Sequence, residues 1–96
     1  MASYVVLLKF TEEARKTIGD VGGLDRAKQA VQAMGVQWKG WYLTLGQYDA
    51  VVLIEAPDDE TVAKLALAQA QVGGVVSETL RAFTEDEYRE IVAALP

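Results

Sequence analysis

The side chains of this sequence that could do chemistry crowd into residues 38–49, where Trp38, Tyr42, Thr44, Tyr48 and Asp49 fall close together. Asp49 is the sharpest of them. A carboxylate desolvated beside a phenol such as Tyr42 holds a proton more tightly and can act as a general base toward a carbon acid without any cofactor. The plainer alternative is a turn residue whose carboxylate binds nearby backbone amides. Trp38 and Tyr42 fit an aromatic floor for a planar ligand, and equally fit dimer packing, where aromatic residues are enriched. Thr44, Val51, Leu53, Lys9 and Arg81 complete the candidate ligand-binding set. Arg81 with Glu55 or Glu78 could bind a carboxylate, although such pairs on edge strands are commonly weak surface ion pairs.

Composition limits what these residues can do. The 96 residues contain no cysteine and no histidine. Disulfides and thiol redox chemistry are excluded, and Ser3 and Ser77 have no histidine to activate them. No metal and no cofactor is expected, because the commonest ligand for both is missing. The formal charge of −5 repels a phosphate backbone, so nucleic acid is not expected as a partner. The start lacks a basic targeting region, and no apolar stretch is long enough to span a bilayer; the expectation is a soluble cytoplasmic protein. Apolar residues make up 51% of the chain, a high share for a domain that buries only roughly 60–65% of its unfolded surface.

The elements that must position these residues can be read along the chain. Residues 3–10 form an apolar run of strand formers. Thr11 caps a helix with Glu12 and Glu13 in its first turn, and Gly19, Gly22 and Gly23 interrupt it. The helix resumes near Leu24, capped by Asp25, with Ala27, Ala30, Val31 and Met34 as its buried stripe, and Gly35 stops it. Strands are expected over residues 36–45 and 48–56, joined by a two-residue turn at Gly46-Gln47. Pro57 and Asp58 open an alanine-rich helix that runs to about Gln71 and ends at Gly73-Gly74. A last strand over 75–83 leads into the capping box Thr84–Glu87 and a helix turning Tyr88, Ile91, Val92 and Leu95 inward. The acidic run Asp58-Asp59-Glu60 is explained by its place at a helix start. The glycine-rich segment 19–23 follows a helix and lacks the lysine of a phosphate loop.

The order is β-α-β-β-α-β with a terminal helix, the ferredoxin-like arrangement of the α+β class, in one domain over residues 1–96. Its central strands, the first and third, are apolar on both faces, whereas a sheet with one wet face alternates. Two helices cover one face only. The other is expected to be covered by a second copy, giving a homodimer or higher homo-oligomer. The two-residue turn would place Leu43, Leu45, Trp41, Tyr48, Ala50, Val52 and Ile54 toward the helices. Trp38, Tyr42, Thr44, Asp49, Val51, Leu53 and Glu55 would then share the other face, with a small-molecule pocket between the two sheets. A one-residue slip would exchange these faces.

The hairpin Trp41-Tyr42-Leu43-Thr44-Leu45-Gly46-Gln47-Tyr48-Asp49 resembles the defining segment of the GYD-domain family, with Gly46, Tyr48 and Asp49 as its signature. The likeness continues through residues 55–59 and 78–84 and covers nearly the whole chain; the departure is the glycine-rich break at 19–23. The resemblance implies a four-stranded antiparallel sheet of the dimeric α/β-barrel superfamily. It implies no established activity. Relatives by fold include monooxygenases of antibiotic biosynthesis, haem-degrading enzymes, lactone isomerases and ligand-sensing domains of transcription regulators, which share a barrel but not a mechanism. Three functions are open from the sequence: a small-molecule binding or sensing module, a cofactor-free enzyme (isomerase, cyclase or monooxygenase) using Asp49 and Tyr42, or an assembly protein whose barrel its own side chains fill.

Overall fold

A computed structural model describes all residues from Met1 to Pro96. The chain runs β1 (Ala2–Phe10), α1 (Glu12–Lys16), α2 (Gly23–Ala33), β2 (Gln37–Leu43), β3 (Ala50–Ala56), α3 (Asp59–Val72), β4 (Val75–Ala82) and α4 (Glu85–Ala93). The four strands form one sheet in the order β2-β3-β1-β4, with every neighbouring pair antiparallel. This is the α+β, ferredoxin-like arrangement that the sequence pattern implies, with the two most apolar strands in the centre.

The two faces of the sheet differ sharply. Tyr4, Val6 and Leu8 of β1 and Ala50, Val52, Ile54 and Ala56 of β3 are buried beneath the helices, with Val31 from α2 and Val62 and Leu65 from α3. Tyr4 ties the layers together, because its hydroxyl donates to the Asp59 carboxylate in the first turn of α3. That bond, then burial, pushes the Tyr4 phenol above its usual range. The intervening residues Val5, Leu7, Val51 and Leu53 point to the opposite face, which no helix covers, and are only half-buried.

Local chemistry sets the element ends. Thr11 caps α1 by accepting the Ala14 amide at 3.2 Å. Asp58 caps α3 by accepting the Thr61 amide at 2.8 Å, and this bond draws its carboxyl below the usual range. Gly73 closes α3 in the left-handed region at φ 81, where a side chain would be strained. The expected Thr84–Glu87 capping box is present in full.

Four expectations are corrected. First, β2 and β3 are joined by a loop over residues 44–49 rather than a two-residue turn, although Leu43 still faces Ala50 in the expected register. Leu43 and Leu45 consequently reach past the helices into solvent, at 67% and 99% exposure. Second, the β2–β3 ladder carries a bulge between Trp38 and Gly40. The extra residue, Lys39, reverses the alternation, so Trp38 pairs with Ile54 and joins Trp41 on the helix side. Third, α2 begins at Gly23 after Gly22 rather than with a cap at Asp25, and of its expected stripe only Val31 is buried; Ala27 and Ala30 stay exposed because α2 stands off the sheet. Fourth, α4 does not turn inward. None of its residues is buried: Tyr88, Ile91 and Val92 lie exposed, and Leu95, expected on the same helix, falls past its end at Ala93 and is exposed as well.

Candidate functional site

The hairpin loop is built on side chain–backbone hydrogen bonds. The Thr44 hydroxyl donates to the Tyr48 carbonyl at 2.6 Å, and the Thr44 amide to the Asp49 carbonyl at 3.0 Å. Between them Gly46 adopts φ 111, which favours glycine at the tip. Asp49 then locks the loop to the central strand. Its amide donates to the Leu8 carbonyl at 2.8 Å, and its Oδ2 accepts the Phe10 amide at 2.8 Å. The β1–β3 backbone ladder has its last pair at Leu8–Ala50, so the Asp49 carboxylate serves as one further rung made by a side chain. The geometry is that of a carboxylate binding backbone amides, the plainer of the two roles open to this residue.

Tyr48 does not face the helices as the two-residue turn would require. Freed by the longer loop, its ring crosses β1 on the uncovered side, where the Lys9 Nζ sits 5.4 Å from the ring centroid and the hydroxyl donates to the Glu78 carboxylate. The bond to Glu78 is the main cause that pushes the Tyr48 phenol upward, followed by burial. Tyr42 lies on the same side opposite Val51; it is 62% exposed, and its hydroxyl has no hydrogen-bond partner within the chain. Lys9, Tyr42, Tyr48, Val51, Leu53 and Glu78 therefore share one surface. Leu80 extends it at β4, opposite Val5.

Trp38 and Arg81 are not part of this surface. Trp38 is carried to the helix side by the bulge. Arg81 pairs with Tyr4 across the β1–β4 ladder and lies 5.5 Å from the Tyr4 ring and 4.5 Å from the Phe83 ring. It meets neither Glu55, which pairs with Lys39 at 3.6 Å, nor Glu78. No cluster of carboxylates is arranged to hold a metal ion, and no helix is long and apolar enough to cross a membrane.

Two features escaped the sequence. One is the Lys9–Tyr48–Glu78 group, which unites residues from β1, the hairpin loop and β4 and could have been found only with the β1–β4 register in hand. The other is an apolar cavity of about 680 Å³ on the helix side, between α2, α3 and the sheet, with both tryptophans in its wall.

Comparison with known proteins fits this arrangement. The GYD-domain family model matches residues 4–92. A protein of Thermus thermophilus named "Glutamine synthetase and cystathionine beta-lyase binding protein" is 35% identical over 86 residues, spanning 85% of this chain and 88% of that protein. Two solved structures share the fold. One, a protein named FFRP-DM1, superposes with a TM-score of 0.59 at 15% identity over 86% of this chain and 100% of its own. The other, the hypothetical protein PHS023 from Pyrococcus horikoshii, gives a TM-score of 0.56 at 17% identity over 88% and 93% of the two chains.

Proposed function

This chain belongs to the GYD-domain family, and we propose that it is a binding module that engages other proteins as a homodimer. The observation that carries this reading is the apolar surface that the fold leaves without cover. On the uncovered sheet face Val5, Leu7, Val51 and Leu53 run across the two central strands, with Leu80, 42% exposed, beside them. Contiguous apolar surface of this kind marks an interaction site. A second copy laid sheet to sheet buries roughly 1,200–2,000 Å², the span of a stable interface. The charged and aromatic groups Lys9, Tyr42, Tyr48 and Glu78 stand with it.

The dimer leaves α4 to be accounted for. Its residues Tyr88, Ile91 and Val92 have the spacing of one helical face, with Leu95 just past the helix end, and an amphipathic helix held off its own domain is a ready ligand for an apolar groove on another protein. The name of the Thermus relative supports protein partners over a small ligand between the sheets.

The test is a binding titration of the purified chain against glutamine synthetase and cystathionine β-lyase of its own organism. At least one enzyme is expected to bind at micromolar concentration or below. Ile91→Glu with Leu95→Glu is expected to abolish that binding and leave the dimer intact. Absence of binding to both enzymes at high micromolar concentration contradicts the reading.

A further inference from the structure

The cavity on the helix side is a separate feature, on the opposite face of the sheet from the apolar surface invoked above. Protein interiors are normally packed as densely as organic crystals. Here about 680 Å³ lies open between α2, α3 and the sheet, within the range of small-molecule sites. Its consequences are visible in the core, where no large side chain is fully buried. Ala27 and Ala30 face this space from α2 and remain exposed.

The walls are specific in kind. The bulge at Lys39 places Trp38 on the same side as Trp41, so both indoles of the chain border the cavity. A regular strand would have sent Trp38 to the other face. At the mouth, the α1–α2 junction carries Ile18 and Val21 toward the opening at 63% and 94% exposure. Apolar side chains held in water around an apolar hollow are groups that an occupant would bury. The polar groups are few. Thr17, Gln69 and Thr79 are neutral, and the charges of Asp20 and Arg26 are already spent on each other in an ion pair. An ionised ligand would find no free counter-charge in the wall and would lose its hydration without return.

We propose that this cavity is a binding site for an uncharged, planar, largely apolar small molecule, stacked on Trp38 and Trp41 and covered by Ile18 and Val21. The amide of Gln69 and the hydroxyl of Thr79 offer hydrogen bonds to one polar edge of such a ligand.

The experiment uses Nile red, an uncharged planar dye, titrated into the full chain. Because Trp38 and Trp41 are the only tryptophans, energy transfer from tryptophan reports dye bound to the domain, and variants at the cavity and on the opposite sheet face assign it to this site. Saturable transfer at one dye per chain is expected. Ala66→Phe, on the α3 wall, fills the space and should weaken binding by at least about tenfold. Ala30→Phe, at an exposed α2 position facing the same space, should do the same and serves if the first variant does not fold. Leu53→Lys, on the other sheet face, should leave the dye affinity per chain unchanged even as it weakens the proposed dimer, because the cavity is built entirely within one chain and Leu53 is not in its wall. Binding that survives the filling variants, that is lost with Leu53→Lys, or that fails to saturate overturns the proposal.

Discussion

Replacement of Asp49 separates a structural role from a catalytic one. The carboxylate is half-buried and accepts the Phe10 amide at 2.8 Å, at the point where the β1–β3 backbone ladder has ended. Asp49→Ala removes the acceptor and leaves that amide without a protein partner, which costs about 1–3 kcal/mol. For a domain of this size each kcal/mol lowers Tm by about 4–8 °C, so a loss near 2 kcal/mol lowers it by about 8–16 °C. Asp49→Asn keeps a carbonyl oxygen at the same place and gives up only the charge, so it should recover most of the loss, ending within about 1 kcal/mol of the native chain. The assay is thermal unfolding followed by circular dichroism, with urea midpoints at one fixed protein concentration, because the proposed dimerisation would make Tm concentration-dependent. An alanine variant that melts within about 2 °C of the native chain refutes the account of Asp49 as a side-chain rung. So does an asparagine variant as damaged as the alanine one. A general base without this structural role would show a different pattern, with the alanine and asparagine variants both as stable as the native chain and any turnover lost in both.

Other predictions follow from the same contacts. Tyr4→Phe deletes the hydrogen bond to Asp59 and should cost about 1 kcal/mol, read as a Tm drop of about 4–8 °C. Because the folded-state phenol titrates above its unfolded value, its stabilisation is whole below about pH 10 and is lost as pH rises through the folded value. Tyr4→Phe should therefore flatten alkaline denaturation, leaving the part that Tyr48 contributes in the same direction. Asp58 has the opposite sign: its folded carboxyl titrates below the unfolded value, so its contribution is whole above about pH 4 and is lost as pH falls through the folded value. Asp58→Ala should lower Tm at neutral pH and reduce the acid dependence, and Asp58→Asn, also a good cap, should restore the neutral-pH Tm. Leu53→Lys places a charge in the centre of the uncovered sheet face and should weaken self-association by at least about tenfold in sedimentation equilibrium, without changing the circular dichroism spectrum.

The fold was legible because its signals are local. Apolar runs mark the strands, Gly73 and the Thr84–Glu87 box mark helix ends, and apolarity on both faces of β1 and β3 places them at the centre of the sheet. Even the hairpin register was legible, since Leu43 faces Ala50 as the turn sequence implies. The site was less so. Trp38 changed faces because one extra residue at Lys39 inverts a period-two pattern, and nothing in the residue types there announces a bulge. Tyr48 changed faces because residues 44–49 form a loop held by Thr44 and Asp49, which frees its backbone from strand alternation. Tyr88, Ile91 and Val92 share a face of α4 that stays exposed instead of turning inward, and Leu95 falls past the helix end, because periodicity says only that an apolar face exists, not what covers it.

The central claim, a dimer that binds other proteins, is tested most directly by sedimentation velocity of the fluorescently labelled chain, alone and with purified glutamine synthetase. The account predicts that at low micromolar concentration the chain sediments as a dimer by itself and moves with the much larger enzyme when the two are mixed. A chain that sediments as a monomer in both samples, at a rate the enzyme does not alter, would contradict it.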